Sequence, residues 1–150
     1  MWDWIFSAVN LIAIVGWAIL LLLPRREILL TVVLYLGIGV LCLVYAGGLA
    51  HAVASGVAEI DFGSIEGVRA IFASDAGVTV GWTHYLAFDL FVGLWIARDA
   101  DAKGVARLLQ APILLATLMA GPLGLLVWLL WRERYRSRRA TQLRVNSTGT

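Results

Sequence analysis

Residues 81–98 read Gly81-Trp-Thr-His-Tyr-Leu-Ala-Phe-Asp-Leu-Phe-Val-Gly-Leu-Trp-Ile-Ala-Arg98. They lie in an apolar run, 78–97, that is long enough to cross a lipid bilayer as a helix. The run nevertheless contains His84 and Asp89. Because an ionisable group in hydrocarbon costs about 3 kcal/mol or more, we expect this helix to carry the polar chemistry of the protein and the other segments to frame it.

The composition excludes an ordinary soluble domain. Hydrophobic residues make up 61% of the 150 residues, charged residues make up 15%, and the mean hydropathy is +0.85. Soluble domains are about half apolar and about a quarter charged. The chain is therefore predicted to be an integral membrane protein. Its single cysteine, Cys42, cannot form an intrachain disulfide.

The apolar runs predict an all-α integral membrane bundle of four transmembrane helices. The predicted spans are 5–23, 28–50, 78–97 and 108–131. They form a single predicted membrane domain, 1–131, and a basic, then disordered tail follows over 132–150. The first run has no preceding Lys or Arg and no small-residue cleavage site, so we interpret it as a retained helix and not as a signal peptide.

Two features of this bundle are less regular. Pro122 lies near the middle of the fourth predicted span and is expected to kink it. The long connection 51–77 contains Phe62, Ile65, Val68 and Phe72, which could form the apolar stripe of a short amphipathic helix. A solvated loop is the alternative for this connection.

The charges leave the membrane orientation open. Four spans place the short loops on one side and the arginine-rich tail on the other, although the positive-inside rule favours both in the cytoplasm. The six arginines of the tail predict contact with anionic lipids, and nucleic acid is not an expected partner. Glycines in the second span permit close helix packing, so homo-oligomerisation remains an open prediction.

The polar residues of the spans fall at two depths. Counting residues along the spans places Asn10, Tyr45 and His51 near the level of His84, with Asp89 and Thr117 deeper. Tyr85 and Asp89 are four residues apart and share a helix face, together with Trp82 and Gly93. His84 lies about 140° round the helix from Asp89 and is flanked by Phe88.

These positions define the candidate site. The predicted catalytic residues are His84, Asp89 and Tyr85. The predicted ligand-binding residues are Trp82, Phe88, Gly93, Asn10, Tyr45 and Thr117. For each of them the alternative is a structural role, as a packing side chain or as an interhelical hydrogen bonder.

No cofactor is predicted. The sequence contains no HExxH, CxxC or paired Glu-x-x-His motif. A metal held by His51, His84 and carboxylates is an alternative that would require assembly across helices.

Two segments carry a family resemblance. Gly81-Trp-Thr-His-Tyr-Leu-Ala-Phe-Asp-Leu-Phe-Val-Gly93, together with Leu118-Met-Ala-Gly-Pro-Leu-Gly-Leu-Leu126, resembles the abscisic acid-deficient 4-like family. These are small four-helix membrane proteins of plants, cyanobacteria and other bacteria, and the plant members are associated with forming neoxanthin from violaxanthin. The resemblance is specific over the third and fourth predicted helices and loose over the first two.

The resemblance implies a carotenoid-modifying membrane enzyme with a carotenoid or related isoprenoid ligand. Acid/base isomerisation of a carotenoid or epoxy-xanthophyll is the expected reaction, with Asp89 or Tyr85 as proton donor and His84 as proton acceptor. The alternatives are a non-catalytic carotenoid-binding accessory protein, carotenoid cleavage with a bound metal, and a small proton-coupled carrier. Without the long transit segment of the plastid members, a bacterial inner membrane location is expected.

Overall fold

The computed structural model describes residues 1–55 and 61–147, and the side chains of these residues up to 135. Every element in this part of the chain is helical, which confirms the all-α prediction there. The elements are α1 (Trp2–Leu22), α2 (Glu27–Ala54), α3 (Ile65–Ile71), α4 (Asp75–Ala102), α5 (Arg107–Met119) and α6 (Gly121–Ser147). The short helix predicted within 51–77 is present as α3.

Three helices are long and apolar enough to cross a membrane. They are α1, α2 and α4, with mean hydropathies of 2.5, 2.6 and 1.2 over their most apolar windows. At 1.5 Å per residue, α1 alone extends over about 30 Å, the thickness of a hydrocarbon core. Large apolar side chains on these helices are exposed, such as Leu11 at 62% and Leu43 at 73%. These features are consistent with a membrane protein.

The chain divides into two compact units, Met1–Phe91 and Val92–Thr150, where the sequence predicted one domain over 1–131. In the first unit, α1, α2 and α4 meet at the fully buried Leu90. A Cβ atom on Gly16 of α1 would lie 2.7 Å from Leu90 Cδ2, and one on Gly37 of α2 would lie 3.4 Å from it. Glycine at both positions therefore allows the two helices to approach the Leu90 side chain.

The middle of α2 is not an α-helix. Residues Val33–Gly39 form a π-helical segment, between the α-helical parts Glu27–Val32 and Val40–Ala54. π-helical turns are rare and are frequent at functional sites. Gly37, which contacts Leu90, belongs to this segment.

In the second unit, the predicted fourth helix is divided. The helix expected over 108–131 ends at Met119, and Ala120 has φ −157° and ψ 83°. Pro122 therefore lies in the first turn of a new helix, where its missing N–H is not needed, and not in a kinked helix interior. The prediction of one continuous helix was wrong here because an apolar run without charges hides the break.

The two helices on either side of this break fold back on each other as a hairpin. A Cβ atom on Gly124 would lie 2.4 Å from the backbone nitrogen of Thr117. Trp128 and Arg132 of α6 both bond to Asp99, which precedes α5 in the chain. With 13 residues, α5 is about 20 Å long, which is shorter than a hydrocarbon core.

Asp99 joins the elements of this unit at one end. Its carboxylate accepts hydrogen bonds from Lys103 Nζ at 2.6 Å, from Trp128 Nε1 at 3.0 Å and from Arg132 Nε at 2.9 Å. The Arg132 guanidinium also lies 5.2 Å from the centre of the Trp95 ring, within cation–π distance. The beginning of the basic segment 132–150 is thus at the same end of the unit as the turn between α4 and α5.

The basic segment itself is largely helical, because α6 continues to Ser147. The disordered tail expected within 132–150 stays a prediction. The last three residues of the chain, 148–150, lie outside the described part.

We expect Gly124→Ala to destabilise the hairpin by about 1–3 kcal/mol, the usual cost of overpacking. The new methyl group would meet the backbone of Thr117, which cannot move aside as a flexible side chain can. Thermal unfolding in detergent, followed by circular dichroism, measures the effect. Gly47→Ala is the control, since a Cβ atom at Gly47 has nothing within 4 Å. Equal unfolding temperatures for the two variants would contradict the hairpin contact.

A double-mutant cycle tests the ion pair between Asp99 and Arg132. We expect Asp99→Asn and Arg132→Gln to be coupled by about 0.5–3 kcal/mol, the range for residues in one hydrogen-bonded network. The measured quantity is the free energy of unfolding of the wild type, the two single variants and the double variant. Additive effects would show that the two side chains do not interact in the folded protein.

Candidate functional site

Both histidines of the chain line one cavity of about 690 Å³. Its walls are the end of α2, the short helix α3 and the start of α4. Tyr45 and His51 come from α2, and His84 comes from α4. Most of the other lining side chains are apolar, including Phe62 and Phe72. We call this space the imidazole cavity; it combines an apolar wall with a small number of polar groups, as ligand sites do.

Aromatic contacts hold the polar side chains of this cavity. The ring centres of Tyr45 and His84 lie 5.2 Å apart with the planes tilted by 53°. Phe88 lies 4.6 Å from His84 on the other side. His51 lies 5.8 Å from the ring of Trp2. Counting residues along the helices had placed Tyr45 and His51 near the level of His84, and the structure brings all three to the same cavity.

Asn10 belongs to a different cluster, on α1 and α4. Its Oδ1 atom accepts a hydrogen bond of 3.1 Å from Trp82 Nε1, and its Nδ2 atom donates to the Phe6 carbonyl at 2.7 Å. The Trp82 ring stacks on Tyr85, with centres 5.2 Å apart and planes 19° apart. Trp82 therefore contacts both Asn10 and Tyr85, and none of these three predicted site residues lines the imidazole cavity.

The deeper predicted residues do not line the imidazole cavity either. Asp89 is buried, with 7% of its surface exposed. Gly93 and Thr117 belong to the second unit, and both are buried. The Thr117 hydroxyl donates to the Ile113 carbonyl of its own helix at 2.8 Å. A role of Asp89, Gly93 or Thr117 in chemistry or binding remains a prediction.

The helix α3 forms one wall of the cavity and begins with a defined cap. Ser64 Oγ accepts a hydrogen bond from the Gly67 amide at 3.0 Å and donates to Asp61 Oδ2 at 2.5 Å. Asp61 Oδ1 accepts from the Gly63 amide at 2.7 Å. These hydrogen bonds to the Asp61 carboxyl lower its pKa below the ordinary value, although the group is exposed. The hydrogen bond from Ser64 has the largest effect, followed by that from the Gly63 amide. Of the predicted apolar stripe, Phe62, Val68 and Phe72 line the cavity.

The metal alternative gains no support from the side-chain positions. Among the residues that the structure describes, no three His, Cys, Asp or Glu side chains lie close enough together to hold a metal ion. Asp75 lines the same cavity as the two imidazoles, but within the described residues the three side chains do not form a group that could hold a metal ion. Whether the protein uses a cofactor remains a prediction.

A second cavity, of about 410 Å³, adjoins the first. It runs between α1, α2 and α4 and is lined almost entirely by apolar side chains; we call it the apolar groove. Trp2, His51 and Val80 line both spaces. The groove could not be predicted from the sequence, because glycines such as Gly47 and Gly48 of α2 are equally expected where helices pack closely.

The helices and the cavity define the class of the protein: an all-helical protein with three helices of membrane-spanning length and an apolar cavity that contains two imidazoles and a phenol. The chain belongs to the ABA DEFICIENT 4-like family, whose sequence model matches residues 4–128. The match extends over α1 and α2, where the resemblance in sequence was loose. Membership indicates a role related to carotenoid and xanthophyll metabolism.

Comparison with curated proteins and comparison with solved structures gave no match for this chain. The family assignment therefore comes from the family model alone.

The cap of α3 should be sensitive to pH. Because the pKa of Asp61 is lowered in the folded protein, its stabilising effect is present above the unfolded pKa of about 4 and is lost as the pH falls through the folded value. The amide chemical shift of Gly63, measured by NMR in micelles, should follow this titration, and Asp61→Asn should abolish it. Ser64→Ala should move the midpoint up toward the ordinary value. An unchanged midpoint in Ser64→Ala would contradict the assigned cause.

Proposed function

We propose that this protein binds the polar ring end of a carotenoid or epoxy-xanthophyll in the imidazole cavity and isomerises it by acid/base chemistry within the bilayer. The observation that carries this proposal is the presence of His84, Tyr45 and His51 on the wall of one apolar cavity, in a member of a family tied to xanthophyll metabolism. A xanthophyll ring offers one oxygen in an otherwise apolar molecule, and the cavity offers a small number of polar groups in an otherwise apolar wall.

The proposed reaction converts an epoxide into an allenic alcohol without a change in atomic composition. An acid donates a proton to the epoxide oxygen as its C–O bond breaks, and a base takes a proton from a neighbouring carbon, whose electron pair forms the new double bond. His84 is the proposed base, because a neutral imidazole accepts a proton near neutral pH. The two protons balance, so no oxidant or reductant is required.

Tyr45, Asp89 and Tyr85 are the candidates proposed here for the role of proton donor. Tyr45 is the nearest candidate, since its ring contacts His84 and both line the imidazole cavity. Asp89 and Tyr85, the donors that the sequence predicts, lie on other parts of α4. We propose Tyr45 as donor, with Asp89 and Tyr85 as the alternatives that the same experiment distinguishes.

We further propose that α1, α2 and α4 each cross the membrane once, and that α5 and α6 enter and leave it on one side as a hairpin. Arg98, Lys103, Arg107 and Arg132 then share one end of the second unit, which the positive-inside rule assigns to the cytoplasm. This arrangement removes the conflict that four crossings create between the short loop and the basic segment. Contact of this basic sequence with anionic lipids of a bacterial inner membrane is part of the same proposal.

The proposed activity can be tested in bacteria engineered to accumulate violaxanthin. The full chain is expressed as wild type and as His84→Ala, Tyr45→Phe, Tyr85→Phe and Asp89→Asn, and pigments are analysed by chromatography and mass spectrometry. We expect the wild type to form an isomer of unchanged mass. His84→Ala and Tyr45→Phe should each lower its formation by about 10²–10⁴-fold, the usual contribution of one acid or base.

Cys42→Ser is the matched control, because Cys42 is exposed on α2 and lines neither cavity. Loss of product in Asp89→Asn or Tyr85→Phe, with Tyr45→Phe unaffected, would move the donor role to that residue. Unchanged pigment that co-purifies with the wild type would instead support a non-catalytic binding protein. A wild type that neither converts nor binds pigment would overturn the proposed function.

A further inference from the structure

We propose that the apolar groove is a second subsite, which holds the polyene chain of the ligand whose ring end occupies the imidazole cavity. This inference rests on the proposed function and names the part of the protein that recognises the length of the ligand. It also makes Gly47, a residue with no catalytic group, a determinant of specificity.

The two spaces share part of their lining. Trp2, His51 and Val80 line both the imidazole cavity and the apolar groove, so one elongated molecule can occupy both without leaving the protein. The groove follows α1 from Trp2 to Ile12, a distance of about 15 Å at 1.5 Å per residue. This length suits an extended chain and not a second compact ring.

The wall of the groove is mainly apolar. Its few polar side chains include Thr79 and Thr83 of α4. The Thr83 hydroxyl donates to the Thr79 carbonyl at 2.7 Å within the same helix, and its donor is thereby used. Beyond the two threonines and the shared Trp2 and His51, the groove is lined by apolar groups, whereas the imidazole cavity also offers His84 and Tyr45. A ligand that is polar at one end and purely hydrocarbon beyond it matches this division.

The two adjacent glycines of α2 have different surroundings. A Cβ atom on Gly48 would lie 2.5 Å from Val80 Cγ2, so glycine there permits the close approach of α2 and α4. A Cβ atom on Gly47 would meet nothing within 4 Å, although Gly47 lines the groove. Gly47 therefore serves no packing contact in the protein, and its missing side chain leaves room in the groove.

In a membrane, the space beside Gly47 selects a ligand by its shape. Lipid chains are as apolar as the groove wall, so a hydrocarbon ligand gains little from leaving the lipid and depends on close van der Waals fit. A side chain placed in the groove should consequently exclude the polyene sterically while leaving the ring end unaffected.

The test compares Gly47→Leu with Ala46→Leu, which adds the same side chain at the neighbouring exposed position, outside both cavities. The two probes are violaxanthin and a truncated analogue that keeps one epoxidised ring on a short polyene. Each purified full-length variant is assayed for binding and conversion of both probes. We expect Gly47→Leu to lower binding of violaxanthin by about tenfold or more, as overpacking by one side chain does, and to leave the truncated analogue unchanged. Ala46→Leu should affect neither probe.

Ala8→Leu, which fills the groove from α1, provides an independent variant should Gly47→Leu not fold, and it should reproduce the same selectivity. If Gly47→Leu and Ala8→Leu reduce both probes equally, or neither, the second subsite is overturned while the proposed function stands. Loss of co-purified phospholipid without any change in violaxanthin binding would show a lipid acyl chain in the groove and would also overturn it. A wild type that ignores both probes would instead refute the proposed function itself.

Discussion

The packing of Leu90 against two glycines is the contact on which the first unit depends. In lipid, apolar side chains gain little by leaving the solvent, so helices associate through close van der Waals fit. Leu90 supplies this fit to α1 through Gly16 and to α2 through Gly37. Once α1 and α2 are held against α4 in this way, two contacts nearer the amino end of α4 follow: Trp82 reaches Asn10, and His84 reaches Tyr45.

The polar residues of α4 are divided among different neighbours, and this division decides what each can do. His84 lies with Tyr45 at the imidazole cavity, while Tyr85, one residue later, stacks on Trp82 beside α1. Successive residues of a helix point about 100° apart, so a run of polar residues in sequence is not a cluster in space. The phenol whose ring contacts His84 therefore comes from α2, and not from the next residue of α4.

The sequence predicted the apolar, membrane-type composition and the long helices, because length and hydropathy determine these directly, whereas it left a short helix and a solvated loop as alternatives where α3 lies. Counting residues along the predicted spans also placed Tyr45 near the level of His84. It could not predict which way Asn10 faces, since depth says nothing of rotation about the helix axis. The break at Ala120 could not be predicted, because a proline such as Pro122 occurs both in a kinked helix and in the first turn of a new helix. The contacts of Asp99 and Asp101 could not be predicted either, because α4 continues five residues beyond the predicted end at Ala97. Both carboxylates therefore lie on the helix, where Asp99 accepts from Trp128 and Asp101 accepts from the buried Gln110.

The π-helical segment Val33–Gly39 changes the direction in which the later side chains of α2 point. Such a segment is equivalent to one residue inserted into an α-helix, and each residue turns the helix by about 100°. Tyr45 and His51 therefore point in a direction that is out of phase with the residues around Ile28. A chain with one residue fewer in this segment would have nearly the same hydropathy and would still span the same bilayer, yet Tyr45 would be turned away from its contact with His84 and His51 from its contact with Trp2. The number of residues in α2 thus sets the direction of its polar groups as well as its reach.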